Sequence, residues 1–412
     1  INGILFANSA QGGSVMLNSC LKKIAMPIPA KLPCDYHLAI IASLTGARAF
    51  IPLPLPPDPP LNVDGELGSL LDAASTALGR LDGISSLLPD PRLFLYTYIR
   101  KEAVLSSQIE GTQSSLSDLL RHEIEGTPGA LGDDVTEVSC YVDAMEHGLK
   151  LLAEGQTLSL RMIKEIHTRL LANGRGSTKQ PGEFKRSQNW IGGSRPGNAR
   201  FVPTPPEHTL DCMGALEKFL HNDPVTTRPL LKAALAHVQF ETIHPFLDGN
   251  GRLGRLLITF ILCAEGVLSQ PLLYLSLHFK RNRESYYELL QEVRLTGNWE
   301  KWLSFFLNGV IETSREAVSC ARRLLDLFQI DRTRLQTEAA SVLRLHGALQ
   351  IHPVLSANAA ADFIKSSQPT VNAAFKKLSA LGIVHEITGG NYGRLYAYTQ
   401  FLDILNEDGE PL

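Results

Sequence analysis

Twelve consecutive residues decide the predicted fold, and in chain order they are His244-Pro245-Phe246-Leu247-Asp248-Gly249-Asn250-Gly251-Arg252-Leu253-Gly254-Arg255. Apolar residues recur at helical spacing on both sides of this stretch, over residues 231–238 and again over residues 253–261. We therefore expect one helix to end near His244 and a tight loop to follow. A second helix should begin near Gly251 and end near Gly266.

The predicted loop brings three kinds of chemical group to one helix N-terminus. Free backbone N–H groups at residues 249–251 and the positive end of the helix dipole favour an anion such as phosphate. Arg252 and Arg255 lie in the first helical turn, so both can bind further phosphate oxygens. Asp248 offers a hard carboxylate that can hold Mg²⁺ against those phosphates. His244 is a base whose ordinary pKa lies near neutrality.

Other glycine-containing loops fit this stretch less well. Asp-Gly and Asn-Gly pairs are common in plain turns, so the glycines alone indicate no more than a turn. A calcium-binding EF-hand loop starting at Asp248 would need glycine in place of Leu253 and a carboxylate in place of Thr259. A Walker phosphate loop would need Gly-Lys-Ser/Thr after the glycines, and that sequence is absent. The full pattern is more specific than any of these alternatives.

The pattern His-Pro-Phe-x-Asp-Gly-Asn-Gly-Arg-x-x-Arg resembles the signature of the Fic family, and the resemblance extends from roughly Phe50 to the C-terminus. The resemblance implies a helical enzyme that transfers AMP from ATP to a hydroxyl side chain (Ser, Thr or Tyr) of a target protein and releases pyrophosphate. Two alternatives stay open. One is phosphoryl transfer or removal of AMP in the same site, and the other is a transcription regulator that senses nucleotide without chemistry.

The same resemblance implies a role for each residue of the signature. His244 is the catalytic base for the target hydroxyl, Phe246 is a core anchor for the loop, and Asp248 is the ligand of Mg²⁺ or Mn²⁺. The remaining residues are implied to bind ATP phosphates, and they are Gly249, Asn250 and Gly251 (α- and β-phosphates), Arg252 (β-phosphate) and Arg255 (γ-phosphate).

A second motif, Ser106-Ser107-Gln108-Ile109-Glu110-Gly111, ends a helix predicted from about Asp90 to Glu110, with Gly111 as its cap. A carboxylate in a last helical turn is disfavoured by the dipole, so Glu110 gains if it meets a cation elsewhere. The alternative is a solvated surface glutamate. The motif resembles the inhibitory motif of Fic proteins, which implies that Glu110 pairs with Arg255 in the place of the γ-phosphate and that Ser106 positions the helix. ATP would then bind with its α-phosphate misaligned, which forfeits the rate gained from positioning.

Residues 174–206 form a long segment rich in Gly, Pro, Asn, Ser and Arg, and such long loops are uncommon unless functional. Residues 189–193 and 199–203 within it predict two short strands of a hairpin. In the Fic family this place is the flap, which pairs with an extended target segment by strand addition. The target protein is therefore expected to dock at residues 189–203, and a mobile surface loop is the alternative.

Residues 282–296 predict a helix with three candidates for the adenine and ribose pocket: Asn282, Tyr286 and Tyr287. An aromatic face can stack on a base and an amide can bind its edge, although a tyrosine pair on a helix is more often core. Asn282 is preferred, because related proteins carry an Asn near this spacing from the signature histidine. Gln239, about one turn before His244, is a further nucleotide-binding candidate.

The predicted fold class is mainly α, with a Fic helical bundle, a small β-hairpin flap and a C-terminal winged helix-turn-helix domain. The expected domains are an N-terminal tail of unclear order (1–48), a helical region with the inhibitory helix (49–130), the Fic catalytic core (131–312), a connector helix (313–336) and the winged-helix domain (337–412).

The winged-helix prediction rests on helices expected near residues 356–363 and 370–381, followed by strands at 382–384 and 395–398. Basic side chains in this region leave DNA binding open, and they are Lys365, Lys376, Lys377 and Arg394. Winged helices also bind proteins, and DNA binding is the less favoured of the two.

The composition narrows the class of protein. The 412 residues carry 39 basic and 42 acidic side chains, which argues against a chain-wide nucleic-acid surface. Six scattered cysteines without a CxxC pair suggest neither a zinc site nor a disulfide framework, so a reducing cytoplasm is expected. The apolar run near residues 38–44 is too short to span a bilayer, so no membrane partner is expected. A homodimer is left open.

Overall fold

The structure is a computed structural model that describes residues 38–42, 48–87, 92–125, 132–388 and 393–407. Helices dominate the described residues, as the apolar periodicity predicts. In chain order they are α1 (Glu66–Leu87), α2 (Arg92–Ile109), α3 (Leu116–Glu125), α4 (Asp133–Ala153), α5 (Leu160–Leu170), α6 (Pro206–Leu220), α7 (Pro229–Ile243), α8 (Asn250–Ala264), α9 (Ser276–Arg281), α10 (Arg283–Thr296), α11 (Trp299–Arg334), α12 (Ala340–Ile351), α13 (Ala357–Ile364), α14 (Gln368–Ala380) and α15 (Thr399–Asn406).

Two small antiparallel sheets lie at opposite ends of the sequence. Strands β1 (Leu38–Ala42) and β2 (Arg48–Pro52) pair with each other, although all of β1 was expected to belong to a tail of unclear order. The rest of that tail, residues 1–37 and 43–47, lies outside the described residues. Strands β3 (Val354–Ser356), β4 (His385–Glu386) and β5 (Leu395–Ala397) form a second sheet in the order β3-β5-β4.

Helices α7 and α8 lie at the centre of the fold. Every residue of α7 from Leu230 to Ile243 is buried, and a helix that is covered on all sides belongs to a core. Helix α8 packs against α7 and also against α4, where Gly148 lets the ring of Phe260 approach the α4 backbone. Trp302 of α11 donates its indole N–H to the carbonyl of Ala234 at 3.0 Å. The loop between α7 and α8 is therefore held by a rigid frame.

The observed bounds correct two sequence expectations. The helix expected to start at Thr313 begins at Trp299, where Asn298 caps it by accepting from the backbone N–H of Lys301. No breaker interrupts the apolar pattern after that cap, so the predicted boundary between residues 312 and 313 falls within one helix. Helix α8 begins at Asn250, one residue before the expected start.

The hairpin expected in residues 189–203 is also corrected. In this segment of the structure the two strands are replaced by an isolated β-bridge between Ile191 and Phe201. Gly192 and Gly193 both have a φ of 71°, and a 3₁₀ helix follows at Pro196–Asn198. This curled backbone departs from the extended conformation, so a longer ladder cannot form.

The C-terminal elements, α12 to α15 with β3 to β5, pack on the helical bundle. The hydroxyl of Tyr398 donates to Asp331 of α11 at 2.6 Å. The rings of Tyr96 on α2 and His352 lie 4.6 Å apart. These contacts join the C-terminal elements to α11 and to the helix that carries the Ser106–Glu110 motif.

Candidate active site

The loop between α7 and α8 turns sharply at His244. This residue has a φ of 51°, in the left-handed region that residues other than glycine seldom adopt, and it ends α7. Phe246 and Asn250 then close the loop, because the Asn250 side chain accepts from the Phe246 N–H at 2.9 Å and donates to the Phe246 carbonyl at 2.8 Å. Gly249, with a φ of 76°, leads into the first turn of α8. The loop is thus a fixed turn rather than a mobile one.

Phe246 anchors the loop in the core, where His167 of α5 stacks on its ring at 3.7 Å. The Gly182 N–H donates to Nδ1 of His167, so Nε2 of that ring carries the hydrogen and donates to the Asp248 carbonyl at 3.0 Å. Burial lowers the pKa of His167 to about 4, which keeps the ring neutral. His167 is therefore a positioning residue for the loop.

The imidazole of His244 is 8% exposed, and its Nδ1 has no hydrogen-bond partner among the residues described. The nearest carboxylate, Glu241, lies 3.8 Å away. Burial, together with the positive charges of Lys185 and Arg294, lowers the pKa of His244 to about 3. The ring is consequently neutral at ordinary pH and able to accept a proton.

Two residues of the long segment 174–206 hold the backbone around His244. Lys185 donates from Nζ to the carbonyls of Ile243 and His244 at 3.1 and 2.9 Å, and to the Asn189 side chain at 2.8 Å. Asn189 in turn donates to the carbonyls of His244 and Phe246 at 3.2 and 2.8 Å. Burial lowers the pKa of Lys185, whereas its three oxygen acceptors favour the charged form.

A polar cavity of about 280 Å³ opens beside the start of α8, and its lining residues are Glu110, Arg175, Asp248, Gly249, Gly251 and Arg252. Arg252 is held at one end by the buried Glu137, with 3.2 Å between Nη1 and Oε2. Its Nη2 lies 3.8 Å from Asp248 Oδ1. The cavity therefore places carboxylate and arginine side chains together at a helix N-terminus.

Arg255 meets the upstream motif in this structure. Its Nε donates to the Ser106 hydroxyl at 2.8 Å, and its Nη2 donates to the Ser106 carbonyl and to Glu110 Oε1, both at 2.9 Å. Glu110 also touches the first turn of α8, because a Cβ at Gly251 would lie 2.2 Å from Oε1. The expected contact of Glu110 with Arg255 is thus present.

The charge state of Glu110 follows from this position. Burial alone would raise the pKa of its carboxyl, but the charges of Arg255 and Arg252 lower it below its ordinary value. An ionised carboxylate therefore stands at the N-terminus of α8, where the helix dipole favours an anion. Nη1 of Arg255 has no hydrogen-bond partner within the described residues.

The structure does not bring every sequence candidate to this loop. Gln239 donates to the Leu53 carbonyl at 2.7 Å and lines a separate cavity of about 420 Å³, together with Pro52, Pro54 and Pro57. Asn282 lies at the junction of α9 and α10 and donates to the His278 carbonyl at 3.0 Å. Tyr286 is buried and hydrogen-bonded to His237, which fits the alternative of a core tyrosine.

Asp248 is a carboxylate beside a polar cavity and an anion-favouring helix start. Mg²⁺ is usually bound through one or two carboxylates together with substrate phosphates, so this residue suits that ion or Mn²⁺. Across the described residues no cluster of three or more His, Cys, Asp or Glu side chains could hold a metal by itself. The donor set therefore fits a metal that arrives with a nucleotide.

Four residues around the loop were not found from the sequence: Glu137, His167, Lys185 and Glu241. The signal for Glu241 was available, because it is the acidic residue of a mostly apolar helix and lies three positions before His244. Burial raises the pKa of Glu241 to about 7. The others contact the loop from distant parts of the chain, and no local pattern marks them.

Comparison with known proteins agrees with the resemblance of the signature. Residues 69–150 match the Fic/DOC family N-terminal region, and residues 157–262 match the Fic/DOC family. The protein adenylyltransferase Fic of Aedes aegypti is 30% identical over 224 residues, which cover 53% of this chain and 40% of that protein. The protein adenylyltransferase fic-1 of Caenorhabditis elegans is 32% identical over 117 residues, which cover 28% of this chain and 21% of that protein. The chain thus spans less than half the length of these curated relatives.

The crystal structure of a Fic family protein from Desulfovibrio desulfuricans G20 shares the fold. Its TM-score is 0.52 at 20% sequence identity, and the match covers 82% of this chain and 97% of that one. In the part of the chain that the structure describes, no helix is both long and apolar enough to cross a membrane.

Proposed function

We propose that this chain, through its Fic/DOC region, is an autoinhibited protein adenylyltransferase that transfers AMP from ATP to a Ser, Thr or Tyr hydroxyl of a target protein. The observation that carries the proposal is the ion pair of Arg255 with Glu110 at the N-terminus of α8, 2.9 Å between Nη2 and Oε1. A helix start that binds a carboxylate in this way is equipped to bind a phosphate. The named relatives support the reaction type.

In the proposed reaction the neutral imidazole of His244 takes the proton of the target hydroxyl. The hydroxyl oxygen then forms a bond to the α-phosphorus of ATP, while the bond from that phosphorus to the bridging oxygen breaks and pyrophosphate leaves. The N–H groups at the start of α8, with Arg252 and Arg255, would stabilise the negative charge of the phosphates. Asp248 would hold Mg²⁺ or Mn²⁺, which when bound offsets phosphate charge.

Inhibition in this proposal follows from competition for Arg255. Glu110 and Ser106 engage Nη2 and Nε of the guanidinium, so a terminal phosphate would meet a carboxylate of like charge in its place. ATP would then bind with its α-phosphate out of line for attack, and the gain from positioning would be lost. The imidazole of His244 is also largely covered, so a target hydroxyl reaches it only after neighbouring groups move.

Transfer of labelled AMP tests the proposal. Glu110→Gly should raise incorporation at least roughly tenfold, because it frees Arg255 and restores alignment. Glu110→Gly combined with His244→Ala should abolish it. Glu154→Gly is a matched control, since Glu154 also ends a helix but is exposed and far from the loop. Equal labelling with and without His244 would contradict the mechanism, and mass spectrometry of the product would reveal phosphoryl transfer or removal of AMP instead.

We also propose that residues 337–412 act as a winged helix-turn-helix that contacts protein. Helices α13 and α14 are joined by a short turn and followed by the β4–β5 pair, which is the expected order. Lys377 pairs with Glu338 at 3.0 Å and Arg394 with Glu386 at 3.6 Å, so part of the basic charge available to DNA is offset. A gel shift with duplex DNA at low salt should show no complex, and a salt-sensitive complex would favour DNA.

A further inference from the structure

The flap is strongly basic on a chain that is otherwise close to neutral. We define the basic flap as residues 184–206, which contain Lys185, Arg186, Arg195 and Arg200 but no Asp or Glu. The whole chain carries 39 basic and 42 acidic residues, so the basic flap is more positively charged than the chain as a whole. A local excess of one sign calls for a reason beyond solubility.

Three of these cations are uncompensated. Arg186, Arg195 and Arg200 are exposed, and none of them forms an ion pair within the described chain. Exposed arginines elsewhere often do: Arg281 pairs with Glu316 at 2.7 Å, and Arg323 pairs with Glu407. The fourth cation, Lys185, is buried and used on the loop carbonyls.

The basic flap lies next to the proposed acceptor side of the site. Its Lys185 N–H donates to the Pro245 carbonyl at 2.8 Å, and Asn189 donates to the His244 carbonyl at 3.2 Å. Arg200 stands beside Gly192 across the bridge, since a Cβ on Gly192 would lie 3.1 Å from the Arg200 Cβ. The phosphate cavity opens at residues 248–252, so ATP would not use these arginines.

Like charges also meet at the base of the flap. Arg294 lies over the Phe201 ring at 3.9 Å. Burial lowers the pKa of Arg294 to about 10, and the positive charge of Arg200 acts in the same direction, whereas the negative charge of Glu241 acts in the opposite direction. An incoming anion would relieve this repulsion, whereas an incoming cation would add to it.

We propose that the basic flap selects target segments that carry acidic residues beside the hydroxyl to be modified. The inference rests on the proposed function and adds the chemical class of its protein substrate. An arginine fork can bind a carboxylate through two parallel hydrogen bonds, and a positive surface accelerates the approach of an acidic partner. A segment that lies along the bridge at residues 191 and 201 would pass the three arginines and present its hydroxyl towards His244.

Peptide binding tests the proposal without requiring transfer. Two labelled peptides share a central Ser, Thr or Tyr, one flanked by Asp and Glu and the other by Lys and Arg. Fluorescence anisotropy is measured in the Glu110→Gly background at low salt. The acidic peptide should bind roughly tenfold more tightly than the basic peptide, because each of three exposed charge pairs contributes a modest amount. R186E/R195E/R200E should reverse the preference, and R186K/R195K/R200K should keep its direction.

A matched variant separates the flap from net charge. R80E/R161E/R322E changes the chain's charge equally at exposed positions outside the flap, so it should leave the preference intact. Equal binding of the two peptides by the parent would overturn the proposal. So would an equal loss of the preference for the acidic peptide in R186E/R195E/R200E and in R80E/R161E/R322E. Tighter binding of a single-stranded oligonucleotide than of the acidic peptide would overturn the assignment to a protein segment. AMP incorporation is measured separately, so absence of transfer would count against the proposed function while binding still tests the flap.

Discussion

The proposed inhibition depends on the guanidinium group of Arg255. Its side chain is 1% exposed and makes three hydrogen bonds, two to Ser106 of α2 and one to Glu110, which directly follows that helix. Hydrogen bonds to a charged group each contribute about 1.5–3 kcal/mol, more than the neutral kind. The three contacts together therefore hold the end of α2 against α8, at the place proposed for the γ-phosphate.

Ser106→Ala removes one of these three contacts and should relieve inhibition partly. We expect AMP incorporation to rise roughly fivefold, which is less than for Glu110→Gly, because the Glu110 carboxylate and the Ser106 carbonyl remain. Initial rates with labelled ATP measure this. Ser107→Ala is the matched control, since the Ser107 hydroxyl is buried on the same helix without a hydrogen-bond partner in the described residues. A rate for Ser107→Ala equal to that for Ser106→Ala would show that the effect is only one of packing.

Glu241→Gln should change how stability depends on pH. Burial raises the pKa of Glu241 to about 7, above its ordinary value of 4.5. The folded state therefore holds this proton longer than the unfolded state, and the stability it contributes below pH 4.5 is lost as the pH rises through 7. Between pH 5 and pH 8, the free energy of unfolding of the variant should therefore fall by roughly 1–3 kcal/mol less than that of the parent.

Denaturant unfolding at a series of pH values measures this slope. Glu207→Gln, at an exposed position in the first turn of α6, should leave the slope as it is in the parent. If both variants followed the parent curve, Glu241 would not be the group that titrates. Glu102 is also buried with a pKa raised to about 7, so part of the slope should survive in Glu241→Gln.

At the scale of elements, α4 and α8 approach so closely that one position must be glycine. A Cβ on Gly148 would lie 2.4 Å from the buried ring of Phe260, which cannot move aside without disturbing the core. Gly148→Ala should therefore lower the free energy of unfolding by about 1–3 kcal/mol through overpacking.

A second glycine provides the opposite case. Gly79 in α1 is exposed, and a Cβ there would meet nothing within 4 Å. Gly79→Ala should stabilise the chain by about 0.5–1 kcal/mol, because alanine favours a helix. Chemical denaturation of both variants checks the pair, and a stabilised Gly148→Ala would show that α4 and α8 can separate at little cost.

The elements that the sequence predicts well are those with a strong local signal. Apolar periodicity on both sides of residues 244–255 places the end of α7 and the start of α8 to within one residue. The flap hairpin fails because the backbone of Gly192 and Gly193 is left-handed, and composition does not reveal which glycines adopt that conformation. The start of α11 is missed because the apolar residues 299–306 and the more highly charged residues 313–334 form one continuous helix.

The site divides in the same way. His244, Asp248 and the two signature arginines are adjacent in sequence, so their proximity was predictable. Glu110 lies 145 residues before Arg255, and its partner came from the family resemblance rather than from any local pattern. Glu137 contacts Arg252, and His167 contacts the Asp248 carbonyl. Both contacts arise from tertiary packing, and no local sequence pattern predicts them.

At the scale of the whole molecule, α11 joins α7, the helix that leads into the loop, to the C-terminal elements. Trp302 near its start donates to the Ala234 carbonyl of α7, while Asp331 near its end accepts from Tyr398. Between them, the Tyr98 hydroxyl of α2 donates to the Ala317 carbonyl at 2.8 Å. Helix α11 therefore contacts α7, α2 and the C-terminal elements along its length.

Tyr398→Phe should weaken this connection without changing the shape of the core. Tyr398 and Asp331 are both buried, and their hydrogen bond of 2.6 Å involves a carboxylate whose other oxygen binds the half-exposed Arg334 at 2.9 Å. Removing the hydroxyl leaves a buried carboxylate oxygen without its donor, which should lower the free energy of unfolding by about 1–3 kcal/mol. Denaturant unfolding followed by circular dichroism measures the loss. Tyr396→Phe is the control. Tyr396 lies two positions before Tyr398, and its ring stacks on Phe375 at 4.0 Å. Removing its hydroxyl should lower the free energy of unfolding by less than about 0.5 kcal/mol. A similar loss in both variants would mean that the stability comes from the rings, and the hydroxyl of Tyr398 would then have no part in holding the C-terminal elements to α11.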